Sequence, residues 1–443
     1  MMEEKLPKGW EIVIISDVAE IISGIGFPKD LQGKTKGKFP FYKVGDISRS
    51  VKSGRKFLEN AESYIDEDEK KFLKAKEFPK NTIVFAKIGE ALKLNRRGIL
   101  SSPSFIDNNV MGLIPNRNIE NLFLYYFLLT EDLGKYSSGN TIPSIRKSSV
   151  AEIQIPLPPI PEQKRIVAKL DALFGHLDRL REKLERIPAL LKNFRQQVLT
   201  QAVTGELIRE NMKIVSLGEY LQDIKYGTSQ KSEYNIEGIP ILRIPNIEVE
   251  RGVISSSDLK YSILEDKEYD KLKLKKGDLL IIRSNGSVTL VGQSAIIGEE
   301  EVDFGYAGYL VRLRTANTLD PIYLNFILKS NYLRGQIIEM ARSTSGVNNI
   351  NTTEIKSLKI PITSIQNQKR IIDRIRIIFA VADKIESQYV SLKAKIDQLP
   401  QAILAKAFRG ELVDQEVKEY VVEEREGLLV AEDKERYEKL NKV

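Results

Sequence analysis

The sequence predicts a duplicated α+β protein: two similar α+β domains alternate with two long helices that pair as an antiparallel coiled coil, giving a pseudo-two-fold internal repeat. Three observations carry this. Pro156 to Leu207 aligns without a gap onto Pro361 to Leu412 at an offset of 205, with 15 of 52 positions identical. Both segments hold apolar residues at alternating steps of four and three. The stretches before each segment mix short β-type runs with short helical ones.

The first helix carries its seam at Ile166, Leu170, Leu173, Leu177, Leu180 and Leu184, continuing to Val198. The second repeats it at Ile371, Ile375, Ile378, Ala382, Ile385, Tyr389 and Leu392, continuing to Ile403. A 3.5-residue period sustained over five heptads is a coiled-coil seam, and charges such as Arg179, Glu182 and Glu185 on the flanks suit its solvated surface. Two seams of equal length in one chain favour each other as partners. An antiparallel pair spares the intervening chain a return along the whole rod. About 40 residues at ~1.5 Å each make a rod of roughly 60 Å, on the order of 17 base pairs of B-form DNA. Gly205 and Gly410 suit helix C-caps, and Pro188 and Pro400 each predict a kink or a break and restart.

In the first domain the strand candidates are Ile12 to Ile15, Phe41 to Val44, Ile83 to Phe85 and Gly112 to Ile114. In the second they are Ile239 to Ile244, Asp278 to Ile282, Gln293 to Ile297 and Tyr309 to Arg314. Leu122 to Thr130 and Pro321 to Ser330 read as helices. The boundaries expected are 1–157 and 209–362 for the two domains, 158–208 and 363–412 for the helices, and 413–443 for an acidic tail.

Composition narrows the chemistry. With no cysteine and one histidine, His176, thiolate and histidine-rich metal centres and cysteine nucleophiles are excluded. Net charge is +7, and the tail holds 6 basic and 10 acidic residues, which leaves 62 basic against 51 acidic residues before it. That excess permits a polyanion partner. The opening MMEEKLPKGW is not a signal peptide and no apolar run reaches a membrane span, so a cytoplasmic protein is expected.

The loops between strands gather groups suited to reading base edges. In domain one these are Lys43, Asp46, Lys87, Lys93, Asn95, Arg96 and Arg97, with Thr141 and Ser144 in a Gly-Asn-Thr-Ile-Pro-Ser turn. In domain two they are Arg243, Asn246, Arg283, Asn285, Ser287, Asn348 and Asn349. Arg and Lys suit guanine, Asn suits adenine, and the lysine runs at 70–76 and 271–276 suit phosphates. Catalytic motifs do not assemble. Asp320-Pro321-Ile322-Tyr323 lacks the second proline of an amino-methyltransferase motif, and it follows Asp303-Phe304-Gly305 too closely for intervening βαβ units. There is no P-loop, and Asp68-Glu69-Lys70 sits in a charge-dense run typical of a solvated face.

Leu6-Pro7-Lys8-Gly9-Trp10, the segment IPLPPIPEQKRIVAKLDALF, the endings TGEL and RGEL and the duplicated layout together resemble the specificity (S) subunit of type I restriction-modification enzymes over essentially the full chain. The second copy departs, with Thr363 to Asn367 in place of Pro158 to Glu162 and no opening tryptophan. The resemblance implies a non-catalytic reader without a cofactor of its own. Two target-recognition domains would each bind one half of an asymmetric bipartite site in double-stranded DNA, with the coiled coil fixing the spacer. The helices would dock two modification subunits, which bring S-adenosylmethionine and methylate a flipped adenine in each half-site. Restriction subunits using ATP and Mg would join where present. The competing reading is a coiled-coil scaffold whose domains bind proteins.

Overall fold

The computed structural model describes residues 6–138, 143–341 and 347–414. They form two compact units: the first holds the described residues up to Arg181 and those from Ala394, the second Glu182–Lys393. Each unit is a head of mixed strands and short helices packed on a length of paired helix.

The heads share one plan. In the first, a five-stranded sheet runs Ala19–Ser23, Val110–Pro115, Ile83–Ala86, Arg97–Leu100 and Phe57–Leu58. In the second, the matching sheet runs Leu221–Tyr226, Leu310–Thr315, Leu279–Ile282, Ser294–Ile296 and Val253–Ile254, with Ile247–Glu248 as a sixth strand. The central strands Ile83–Ala86 and Leu279–Ile282 are continuous apolar runs because they are buried on both faces. Each head adds a three-stranded sheet, centred on Phe39–Tyr42 or on Ile239–Leu242. A two-stranded ribbon closes each head on its own chain ends: Glu11–Ile14 with Gln154–Leu157, and Lys213–Ser216 with Lys359–Ile362.

The helices predicted near the end of each domain are Asn121–Thr130 and Pro321–Leu328. Phe123 through Leu128 are all buried, as a helix apolar on every side requires. The Glu120 carboxylate accepts from the Leu122 N–H at 3.0 Å, and the Asp320 carboxylate accepts from the Ile322 N–H at 2.8 Å. Asp320-Pro321-Ile322-Tyr323 is thus a capped helix start with proline in its first turn.

The first long helix spans Ile160–Glu185 and restarts as Ile187–Thr204. Pro188 lies in the first turn of the restart, where a missing N–H costs little. Gly205 ends it with a φ of +83°. The second long helix, Ile365–Phe408, runs through Pro400 without a break. Of the kink or break expected there, the break does not occur: the intact turns on both sides outweigh one lost backbone bond.

Within each unit the pairing is antiparallel. In the first, Ile166 and Leu170 share a core with Leu404 and Ala407, and further along Arg181 meets Asp397 at 3.7 Å. In the second, Arg195 pairs with Asp383 at 2.7 Å and Glu386 at 2.8 Å, and Arg374 donates to the Leu207 carbonyl at 2.7 Å. A step forward on one helix is met each time by a step back on the other.

Seam burial is uneven. Ile166, Leu170, Leu177, Leu184, Ile371 and Ile375 are buried, whereas Leu173, Leu180, Ile378 and Tyr389 are half-buried. Ile385 and Leu392 stay 41% and 46% exposed. Where a head core closes over the seam, Ile166 joins one buried cluster with Phe123 and Ile371 joins another with Tyr323. Ile385 and Leu392 belong to no such core.

The glutamine of the Gln-Lys-Arg repeat has a structural cause. The Gln163 side chain is fully buried: its carbonyl accepts from the Glu120 N–H at 2.7 Å and its amide donates to the Asn118 and Pro158 carbonyls at 3.2 and 2.8 Å. Gln368 makes the same three bonds, from the Asp320 N–H at 2.8 Å and to the Thr318 and Thr363 carbonyls at 2.9 Å each. Only the first copy adds Trp10, whose indole N–H donates to the buried Glu162 carboxylate at 3.0 Å.

Candidate nucleic-acid interface

Two positions recur in the same backbone setting in both heads. Lys87 follows the central strand of its sheet; its N–H donates to the Asn109 carbonyl at 2.9 Å, and its carbonyl accepts from the Ile145 N–H at 2.9 Å. Arg283 follows the matching strand; its N–H donates to the Tyr309 carbonyl at 2.9 Å, and its carbonyl accepts from the Ile350 N–H at 2.8 Å. One shared frame therefore sets a different cation in each head. Beside it lies a short ribbon, Ser137–Ser138 with Ser144–Ile145 in the first head and Ser284–Asn285 with Asn348–Asn349 in the second.

The strand edge nearby is also shared. A Cβ on Gly24 would lie 2.2 Å from the Ile106 and Asp107 carbonyl oxygens, and one on Gly227 would lie 2.3 Å from those of Tyr306 and Ala307. Only glycine allows that approach. The residue before it is Ser23 in one head and Tyr226 in the other. The Tyr226 ring lies under the Arg283 guanidinium, 4.6 Å from centroid to Cζ. Burial works to raise the Tyr226 hydroxyl, but hydrogen bonds with Thr352 and the Arg283 charge hold it below the usual tyrosine value.

The second recurring position is Lys43 and Arg243. Each stands just before a helical turn, Lys43 over the Phe27 ring at 5.3 Å and Arg243 over the Tyr234 ring at 6.0 Å. Lys43 donates to the Gln32 side chain at 2.6 Å, and Arg243 pairs with Asp258 at 2.9 Å.

Four residues expected to face bases are turned to structural work. Asp46 is buried, accepting from the Lys43 N–H at 2.8 Å, the Glu62 N–H at 3.0 Å and Arg49 at 2.6 Å. Asn246, also buried, accepts from the Arg243 N–H at 2.8 Å and donates to the Ser255 and Asp258 carbonyls at 3.0 Å. Asn95 takes a left-handed φ of +53°, donates to the Glu131 carbonyl at 2.7 Å and accepts from the Leu133 N–H at 3.1 Å. Arg97 is buried and donates to the Asn95 side chain at 2.7 Å and the Glu131 carbonyl at 2.6 Å. Burial pulls its guanidinium down to about 10. Meeting a base would strand the groups these side chains satisfy inside the head. Asp46→Ala and Asn246→Ala are each expected to cost about 1–3 kcal/mol of stability. Thermal unfolding should register that loss, while the preferred DNA sequence stays the same.

The other candidates lie at the surface or near it. Lys93 is exposed and pairs with Glu90 at 2.7 Å, and Arg96 is half-buried. The Ser144 hydroxyl reaches the Ser138 carbonyl at 3.4 Å, and Thr141 falls outside the described residues. Asn285 accepts from the Ser287 N–H at 2.9 Å, the Ser287 hydroxyl lies 2.7 Å from that of Thr289, and Asn348 donates to the Gly286 carbonyl at 2.9 Å. Asn349 is exposed. Some lysines of the runs are already paired, Lys70 with Glu77 at 2.5 Å and Lys273 with Asp270 at 3.0 Å. Tyr226 and the two clasping glutamines were not singled out for these roles in the sequence.

His176 is exposed, and among the described residues no group of three or more His, Cys, Asp or Glu side chains is placed to hold a metal. No described helix is long and apolar enough to cross a membrane.

Residues 7–189 and 209–392 each match the family model described as the type I restriction modification DNA specificity domain. The EcoKI specificity subunit of Escherichia coli K12 is 28% identical, with 94% of this chain and 92% of that protein covered. The StySPI specificity subunit of Salmonella potsdam is also 28% identical, with the same coverage. Among solved structures, the HsdS subunit of Thermoanaerobacter tengcongensis superposes with a TM-score of 0.59 at 21% identity over 92% of this chain and 98% of that one. A chain from a type I R-M system structure superposes with a TM-score of 0.66 at 20% identity over 92% and 99%. Duplicated heads, antiparallel helices and two matched domain models agree, and the chain belongs to the type I restriction-modification DNA specificity family, whose members confer DNA recognition rather than catalysis.

Proposed function

We propose that this chain reads an asymmetric bipartite site in double-stranded DNA, one half-site per head, for a type I restriction-modification complex. Residues 1–157 and 209–362 act as the recognition domains. The paired helices, 158–208 and 363–412, set the unread spacer and dock two modification subunits, which supply S-adenosylmethionine. Restriction subunits using ATP and Mg join where they are present. The observation that carries this reading is the shared frame at Lys87 and Arg283: one scaffold position, two different cations, in two differently furnished surroundings. Heads that did the same job on the same target would have no use for that divergence. The exposed Ile377, Val381, Ile385, Val390 and Leu392 on the second long helix support a docking role for it.

The test is to sequence methylated DNA from cells carrying this chain and its modification subunit, before and after exchanging residues 209–362 for those of a relative. A two-part methylated motif is expected, and the exchange should rewrite one half and leave the other alone. A stable assembly that yields no two-part motif would instead favour the protein-binding scaffold.

A further inference from the structure

Arg283 stands apart from the other arginines of the heads. Its Nε is buried without a hydrogen-bond partner, as are those of Arg97, Arg243 and Arg312. Those three engage their terminal nitrogens elsewhere: Arg97 with Asn95 and Glu131, Arg243 with Asp258, and Arg312 with Asp223 and the Lys271 and Lys273 carbonyls. Among the described residues the Arg283 side chain has no hydrogen bond and no ion pair, and its one partner is the face of Tyr226. Tyr226 is itself fixed, since its hydroxyl accepts from the Thr352 N–H at 3.0 Å. The nearby acid Glu354 is already committed, accepting from the Asn351 N–H at 2.8 Å. Tyr309, whose carbonyl accepts from the Arg283 N–H, is 64% exposed.

A guanidinium stacked on a ring keeps its plane and its charge while losing little further freedom when it binds. With Nε turned inward, the two terminal nitrogens form the outward edge. That edge matches the paired acceptors N7 and O6 that guanine presents in the major groove. In the first head the same frame holds Lys87, Ser23 precedes the matching glycine, and Lys87 lies over no ring among the described residues. A lysine there offers a mobile point charge in place of a fixed fork.

We infer that Arg283, held over the Tyr226 ring, is the specificity-determining group of the second head and reads a G·C pair end-on in that head's half-site. The inference rests on the DNA-reading function proposed above and assigns one position within it. Tyr226 acts as a positioning residue and touches no base.

The experiment measures binding of the full chain, assembled with its modification subunits, to duplexes carrying the wild-type motif or each single base-pair change in the second half-site. Arg283→Lys should reduce discrimination at one G·C position by roughly 5- to 150-fold, the range of one bidentate contact. Discrimination elsewhere in both half-sites should stay as it was. Tyr226→Phe should keep the preference, and Tyr226→Ser should relax it at that same position. If Arg283→Lys assembles normally and every position of the second half-site is discriminated as before, the inference is overturned while the two-headed reading stands. A uniform loss of affinity across all duplexes would also overturn it, marking Arg283 as a phosphate contact. If the wild-type assembly shows no sequence preference, the underlying function fails first.

Discussion

Replacing Gln163 by leucine is expected to destabilise the first unit by about 3 kcal/mol, and replacing Gln368 by leucine should do the same to the second. Each glutamine is fully buried with both ends of its amide engaged. The leucine would fill a similar space but leave the Glu120 or Asp320 N–H without an acceptor and two carbonyls without a donor. Buried orphaned groups of this kind cost about 1–3 kcal/mol each, partly relieved when the loop relaxes. For a unit of this size the loss corresponds to a fall of roughly 10 °C in its unfolding midpoint. Calorimetry of the two variants should shift different transitions, because the two clasps sit in different units. Unchanged transitions in both would show that the helix entries are held by apolar packing alone.

The clasp also explains how the repeat could be read at all. A glutamine that must satisfy three backbone groups in each head leaves little room for divergence, and the glutamine of the Gln-Lys-Arg match at the two helix starts was visible in the sequence for that reason. The heptads were legible because each apolar position repeats at a fixed step over a long run, and the central strands because both their faces are buried. Harder to read were the sixth strand, Ile247–Glu248, and the helix Val44–Lys52 that starts at the matching place in the other head. After Arg243, Pro245 and a run of β-favouring residues shorten the turn and extend the chain.

The candidate interface was only partly legible, and the reason is chemical. Asp, Asn and Arg in loops suit base edges, but the same groups cap turns and fill buried polar gaps. Asp46, Asn246, Asn95 and Arg97 took the second role, which depends on carbonyls supplied by distant segments such as Ser255 and Glu131. Arg283 and Tyr226 show the converse: their contact joins segments far apart in sequence, so no local pattern announces it.

The joint role of heads and helices meets its most direct test in the spacer. Inserting one heptad into each long helix at facing places, near Arg181 in the first and Asp397 in the second, keeps both seams in phase. Seven residues add about 10 Å of helix, the length of roughly three base pairs. Sequencing the methylated sites of cells carrying this variant should return both half-sites unaltered, separated by a spacer about three base pairs longer. A spacer of the original length beside rewritten half-sites would contradict the division of work between reading heads and measuring helices.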